Sequence, residues 1–141
     1  MREILFRGKS TGLVNGDSIW IEGGIFKDSR NDQVYISYEV GDADLPMPKY
    51  FSFSPVMPHT VGQYTGLFDK NGTKIFEGDI VKFGDIIGII NYNTGCYCVK
   101  TNKPDWRGRN NPAIDIIMNE YPNEIEIIGN IHDNPELLEW R

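Results

Sequence analysis

Val34, Ile36, Tyr38 and Val40 alternate with Tyr35, Ser37 and Glu39. A two-residue period puts one apolar face on a half-buried strand. This pattern constrains the fold most, because short runs of the same kind recur along the chain while helix signals are scarce. Ile4-Leu5-Phe6 and Ile19-Trp20-Ile21 are shorter strand candidates. Residues 86–92 form a β-branched run that reads as a buried strand. Asn93-Thr94-Gly95 then turns the chain into a strand over 96–101, and residues 114–118 and 124–131 supply two more. Asn15-Gly16, Gly23-Gly24 and Asn71-Gly72 read as turns, the last between apolar ends. The best helical signal is Asn134-Pro135-Glu136-Leu137-Leu138, with Asn as cap, Pro at the first position and Glu at the positive end. Short strands separated by frequent turns predict a mainly β protein, a small barrel or sandwich.

Residues 42–60 break the pattern with Pro46, Pro48, Pro55 and Pro58. Proline lacks an amide donor and fixes φ, so the segment is neither a central strand nor a helix. It is expected to be a connector that divides an N-terminal β region, 1–60, from a C-terminal half, 61–141, with Phe51 and Phe53 packing down on the body.

At 141 residues the chain suits one domain or two small halves, and seven Tyr, seven Phe and three Trp supply the apolar area that folding needs. Asp and Glu outnumber Lys and Arg 20 to 14, for a net charge of −6. Nucleic-acid affinity comes mostly from neutralising phosphates, so such a balance makes nucleic acid a disfavoured partner. No run approaches a membrane helix, the opening Met1-Arg2-Glu3-Ile4-Leu5-Phe6 lacks a secretory apolar stretch, and only Cys96 and Cys98 occur. No membrane association, no disulfide framework and a cytoplasmic location are the expectations.

Three blocks of sequence resemble a known family. Arg2-Glu3-Ile4-Leu5-Phe6-Arg7-Gly8-Lys9 is similar to the start of YopX-type bacteriophage and prophage proteins. Val61-Gly62-Gln63-Tyr64-Thr65-Gly66-Leu67, Asp69-Lys70-Asn71-Gly72 and Ile75-Phe76-Glu77-Gly78-Asp79-Ile80-Val81 resemble the family's central signature. Ile128-Gly129-Asn130-Ile131 and Asn134-Pro135-Glu136-Leu137-Leu138 look like its ending. The resemblance implies a phage or prophage gene product whose C-terminal half, 61–141, is an SH3-like β-barrel. It implies no catalytic residues and no cofactor.

The residues themselves offer few chemical constellations. The signature glycines Gly62, Gly66, Gly72 and Gly78, with Asp69 and Asp79, suit turns better than a ligand loop. Cys96 and Cys98 face one side of a strand, and with His59 or His132 would make an incomplete zinc set. His132-Asp133 and the carboxylates Glu77, Asp79 and Asp85 lack a catalytic context, so no enzyme activity is expected. Lys100, Lys103, Arg107 and Arg109 surround Trp106, a mixture that suits single-stranded nucleic acid as an alternative function. Trp20, Tyr35, Tyr50, Phe51, Phe53 and Tyr64 exceed what one small core requires. The leading expectation is therefore contact with an unknown protein partner or a homo-oligomer, because interfaces are enriched in aromatics.

Overall fold

The computed structural model describes residues 2–40 and 50–139. The chain divides into two compact units, 1–63 and 64–141. Strands dominate both and pair antiparallel throughout, so the mainly β expectation holds.

In the first unit, β1 (Phe6–Lys9), β2 (Trp20–Lys27), β3 (Val34–Val40) and β4 (Tyr50–Val56) form a sheet in the order β4-β3-β2-β1. β1 also pairs with Gly62 and Gln63, which open β5 (Gly62–Phe68). The alternation in β3 works as expected: Val34 and Ile36 are buried with Val56, against Phe6, Ile21 and Val61. The sheet curls until Ser10 bridges Val56 and the Met57 amide donates to the Lys9 carbonyl at 2.8 Å. A 3-10 turn, Pro58–Thr60, follows, and the Thr60 hydroxyl accepts the Lys9 amide at 2.9 Å.

Two expectations fail here for identifiable reasons. Gly23-Gly24 is not a turn; it lies in the middle of β2, where β3 passes too close for side chains. The turn at Asn15-Gly16 does form, with both residues at positive φ (52° and 87°) and paired amides between Val14 and Asp17. Residues 50–56 are not connector but strand β4, matched to β3 over its whole length from Tyr50↔Val40 to Val56↔Val34. Pro55 is tolerated because its donor-less nitrogen faces away from β3, on the side where its carbonyl accepts the Thr11 amide at 3.1 Å. Pro46 and Pro48 lie outside the described residues.

In the second unit the rest of β5 pairs with β6 (Lys74–Phe76), with a register shift between Tyr64 and Phe68 where Gly66 has φ +88°. A second sheet has the order β10-β7-β8-β9, from β7 (Asp79–Phe83), β8 (Ile86–Asn93), β9 (Cys96–Thr101) and β10 (Glu126–Asn130). Among the described residues no closed barrel forms. One side of this sheet is covered instead by α1 (Ile114–Glu120), so the strand expected over 114–118 is a helix. Ile114, Ile117, Met118 and Tyr121 recur at helical spacing, and Ile114 and Ile117 are buried against Ile75, Val81, Phe83, Ile90 and Val99. The other side buries Ile80 and Ile89 under Leu138. Leu138 comes from a 3-10 turn, Pro135–Leu138, as its Pro and Glu suggested. Asn134 does not cap it: its Oδ1 accepts the Asn130 amide at 3.1 Å.

Candidate functional site

The sheet register of the first unit builds an exposed aromatic surface. Tyr35 stands opposite both Phe26 and Pro55, Ser37 opposite Gly24 and Phe53, and Glu39 opposite Phe51. Directly opposed residues share a face, so Phe26, Tyr35, Phe53 and Phe51 all lie on the side away from Val34 and Ile36. Gly24 and Ser37 leave this face low in its middle. Phe26 is 55%, Phe53 58% and Phe51 74% exposed, so the expected burial of Phe51 and Phe53 does not occur. The Phe26 ring lies 6.3 Å from Tyr35 and 6.5 Å from Phe53, both tilted. Beside them the β2–β3 loop turns on Asp28, whose amide donates to the Gln33 carbonyl at 2.8 Å. The Asp28 carboxylate accepts the Arg30 guanidinium through Nε at 3.1 Å and a terminal nitrogen at 3.0 Å, and also the Arg30 amide at 2.9 Å. Those bonds hold its carboxyl below the usual carboxylate range.

The other surplus aromatics have different roles. Trp20 is half-buried with the Arg7 guanidinium 4.7 Å above its ring. Tyr64 is buried against Phe76 and Phe68. Tyr50 is exposed at the start of β4.

Carboxylates meet most of the cations of the 100–109 loop. Asp105 is buried, and its Oδ1 accepts the amides of Arg107 and Arg109 at 2.9 Å each. Its Oδ2 accepts Arg109 Nε at 2.7 Å. Glu120, at the end of α1, receives Arg109 at 2.5 Å, Trp106 Nε1 at 3.2 Å and, at 3.6 Å, Arg107. Lys103 pairs with Asp85 at 2.6 Å. Three carboxylates thus take up three of the four cations, and Lys100 stands exposed on β9 opposite Ile89. Trp106 remains 65% exposed, with the Arg107 guanidinium 4.5 Å from its ring. Burial would raise the Asp105 carboxyl, but the bonds from Arg109 and Arg107 outweigh it and lower it.

Cys96 and Cys98 do face the same side of β9, with their sulfurs 3.4 Å apart. Cys96 is exposed and Cys98 buried. Burial, then the bond with Cys96, pushes the Cys98 thiol up to about 11. Among the described residues no group of three or more His, Cys, Asp or Glu is placed to hold a metal. His59 sits in the Pro58–Thr60 turn and His132 follows β10, its amide donating to Asn130 Oδ1 at 3.0 Å.

The signature residues around 62–79 shape backbone. Gly66, Gly72 and Gly78 have φ of +88°, +79° and +88°. The Thr65 hydroxyl bonds the Ile75 carbonyl at 2.8 Å across β5 and β6. Asp69 Oδ1 accepts the amides of Asn71 and Thr73 at 2.9 Å, closing the Asn71-Gly72 turn, and Oδ2 accepts the Ile127 amide at 3.1 Å. Burial would raise this carboxyl, but those three amides and Lys70 bring it below its ordinary value. Asp79 is buried and accepts the Phe76 amide at 2.8 Å around the Glu77-Gly78 turn. Gly62 and Gln63 pair with Arg7 and Phe6. The YopX protein family model matches residues 6–139, across these blocks and nearly all else. The chain belongs to the YopX family. No curated protein matches its sequence. Among solved structures it resembles the crystal structure of protein EF1440 from Enterococcus faecalis. That likeness has a TM-score of 0.59 at 24% identity over 99% of this chain and 100% of that one, and is a likeness of fold.

Sequence reasoning missed Phe26 and Asp28 as site residues. The signal was present: reading Gly23-Gly24 as strand rather than turn carries β2 on to Phe26 and places it opposite Tyr35.

Proposed function

We propose that this YopX-family chain is a non-enzymatic phage or prophage accessory protein that docks a protein partner on the outer face of its N-terminal sheet. The observation that carries the proposal is the exposed group Phe26, Tyr35, Phe53 and Phe51 on one side of β2, β3 and β4. Aromatic side chains present about 150–250 Å² each. Three phenyl rings more than half exposed therefore offer roughly 300 Å², the size of surface patch that is often functional. Such a patch serves as the centre of an interface, ringed by polar contacts. The phage origin is supported by the family resemblance. The non-enzymatic part is supported by how the carboxylates are used: Asp69, Asp79 and Asp105 are committed to backbone amides within turns. We read the second unit as an open, SH3-like arrangement that stabilises the chain.

The test is capture of partners with the full chain beside Phe51→Ser, Phe53→Ser and, as a control outside the face, Trp106→Ala. Light scattering on each would reveal self-association. Capture or self-association lost with the two phenylalanine variants and kept by Trp106→Ala is the expected result. Capture that ignores both phenylalanines would overturn the proposal.

A further inference from the structure

Within the aromatic face, Phe26, Tyr35 and Phe53 border a cleft of about 380 Å³ whose remaining wall is Asp28. We infer that this cleft is a receptor for a cationic side chain, a lysine or arginine presented by a basic segment of a protein partner. The inference deepens the docking proposal and rests on it.

Three features of the cleft point to a cation. Phe26, Tyr35 and Phe53 line one space, with the Phe26 ring tilted against the other two, and a cation that meets a ring face there is attracted by the ring's electron-rich quadrupole. Among the described residues the one charged group in the lining is a carboxylate, Asp28, whose side chain is only 12% exposed. That carboxylate already attracts a cation: Arg30, two residues on, folds back on it with both nitrogens while its own side chain stays 87% exposed. Arg30 does not itself line the cleft, but its exposed guanidinium holds the carboxylate that a bound cation would share. It marks the chemistry that the carboxylate selects, and it competes for that carboxylate. A lysine or arginine stem also matches the walls, since its methylenes lie against rings while the charged end reaches the carboxylate. The charge of the whole chain, −6, favours a basic partner in the same sense.

The experiment is an NMR titration of the full chain with N-acetyl-lysine methylamide and with its neutral isostere, in which carbon replaces the charged nitrogen. Ring signals of Phe26, Tyr35 and Phe53 are expected to shift with the cation and not with the isostere. Phe53→Ala, at an exposed position, should abolish the response. Asp28→Asn should weaken it by up to about fivefold, the scale of an exposed ion pair. Arg30→Ala should tighten it by a similar factor, because the internal competitor is gone. Equal shifts with the neutral isostere would overturn the cation inference and leave the docking face standing. No shift with either probe, or weaker binding in Arg30→Ala, would overturn it as well. Failure of the docking proposal is read separately, from partner capture by the Phe51 and Phe53 variants.

Discussion

A Cβ on Gly23 would stand 1.6 Å from the backbone carbonyl oxygen of Ser37. No rotamer change relieves a clash between a Cβ and a neighbouring backbone, so an alanine there must push β2 and β3 apart. Gly23→Ala should cost about 3 kcal/mol, the upper part of the overpacking range. Gly12 has nothing within 4 Å of the same atom, and Gly12→Ala should stay within about 0.5 kcal/mol of the parent. Urea unfolding of the two variants checks the contrast.

Asp69 and Asp105 should govern acid stability. Both carboxyls titrate lower in the folded chain than in the unfolded one. An unfolded aspartate titrates near 3.9. The stability that the two contribute is therefore complete above about pH 5 and is lost as pH falls below the unfolded value and through the lowered folded ones. Asp69→Asn and Asp105→Asn should each be less stable than the parent at pH 7 and show a shallower loss between about pH 5 and pH 2. Thermal melts across that range provide the measurement.

Cys96 and Cys98 should react at very different rates despite sulfurs 3.4 Å apart. The thiolate is the nucleophile. With its thiol raised to about 11 and its side chain buried, Cys98 holds on the order of a thousandth of its population as thiolate at pH 8. Iodoacetamide at pH 8, mapped by mass spectrometry, should label Cys96 first and leave Cys98 largely unmodified in the native chain. Denaturant should abolish the difference.

The pairing of Lys103 with Asp85, and of Arg107 and Arg109 with Glu120, makes the 100–109 loop a poor phosphate binder as it stands. The parent should not bind a labelled single-stranded oligonucleotide at 150 mM salt, a concentration that screens exposed charges beyond about 8 Å. Removing the competing carboxylates in an Asp85→Asn, Glu120→Gln double variant should produce weak binding that falls as salt rises. Fluorescence anisotropy across a salt series reads both outcomes. Salt-sensitive binding by the parent would restore Trp106 and its neighbouring cations as a nucleic-acid site.

Much of the local structure was legible in the sequence because it depends on near neighbours. The alternation over 34–40 is a strand with Val34 and Ile36 inward, and Asn71-Gly72 turns under Asp69. Residues 86–92 and 96–101 pair around Asn93-Thr94-Gly95. Where local signals conflict, burial decides between them. Residues 114–118 are β-branched enough to suggest a strand, but Ile114, Ile117, Met118 and Tyr121 carry the helical period that burial selects. The prolines near 50–56 suggested a connector, and an outer strand accommodates Pro55.

The β class, the turns at Asn15-Gly16, Asn71-Gly72 and Asn93-Thr94-Gly95, and the inward side of β3 are set by neighbours along the chain. These follow from backbone preferences and from a period of two. Which exposed residues meet is a matter of tertiary pairing. Phe26, Tyr35 and Phe53 lie on three strands, and Asp28 sits on the loop between two of them. Their convergence depends on sheet register, and a one-residue shift would send each ring to the opposite face. The cations around Trp106 were visible in order along the chain. Acidic residues such as Asp105 and Glu120 are visible beside them, but which carboxylate meets which cation, Asp85 on Lys103 included, is set by the packing of β8 and α1.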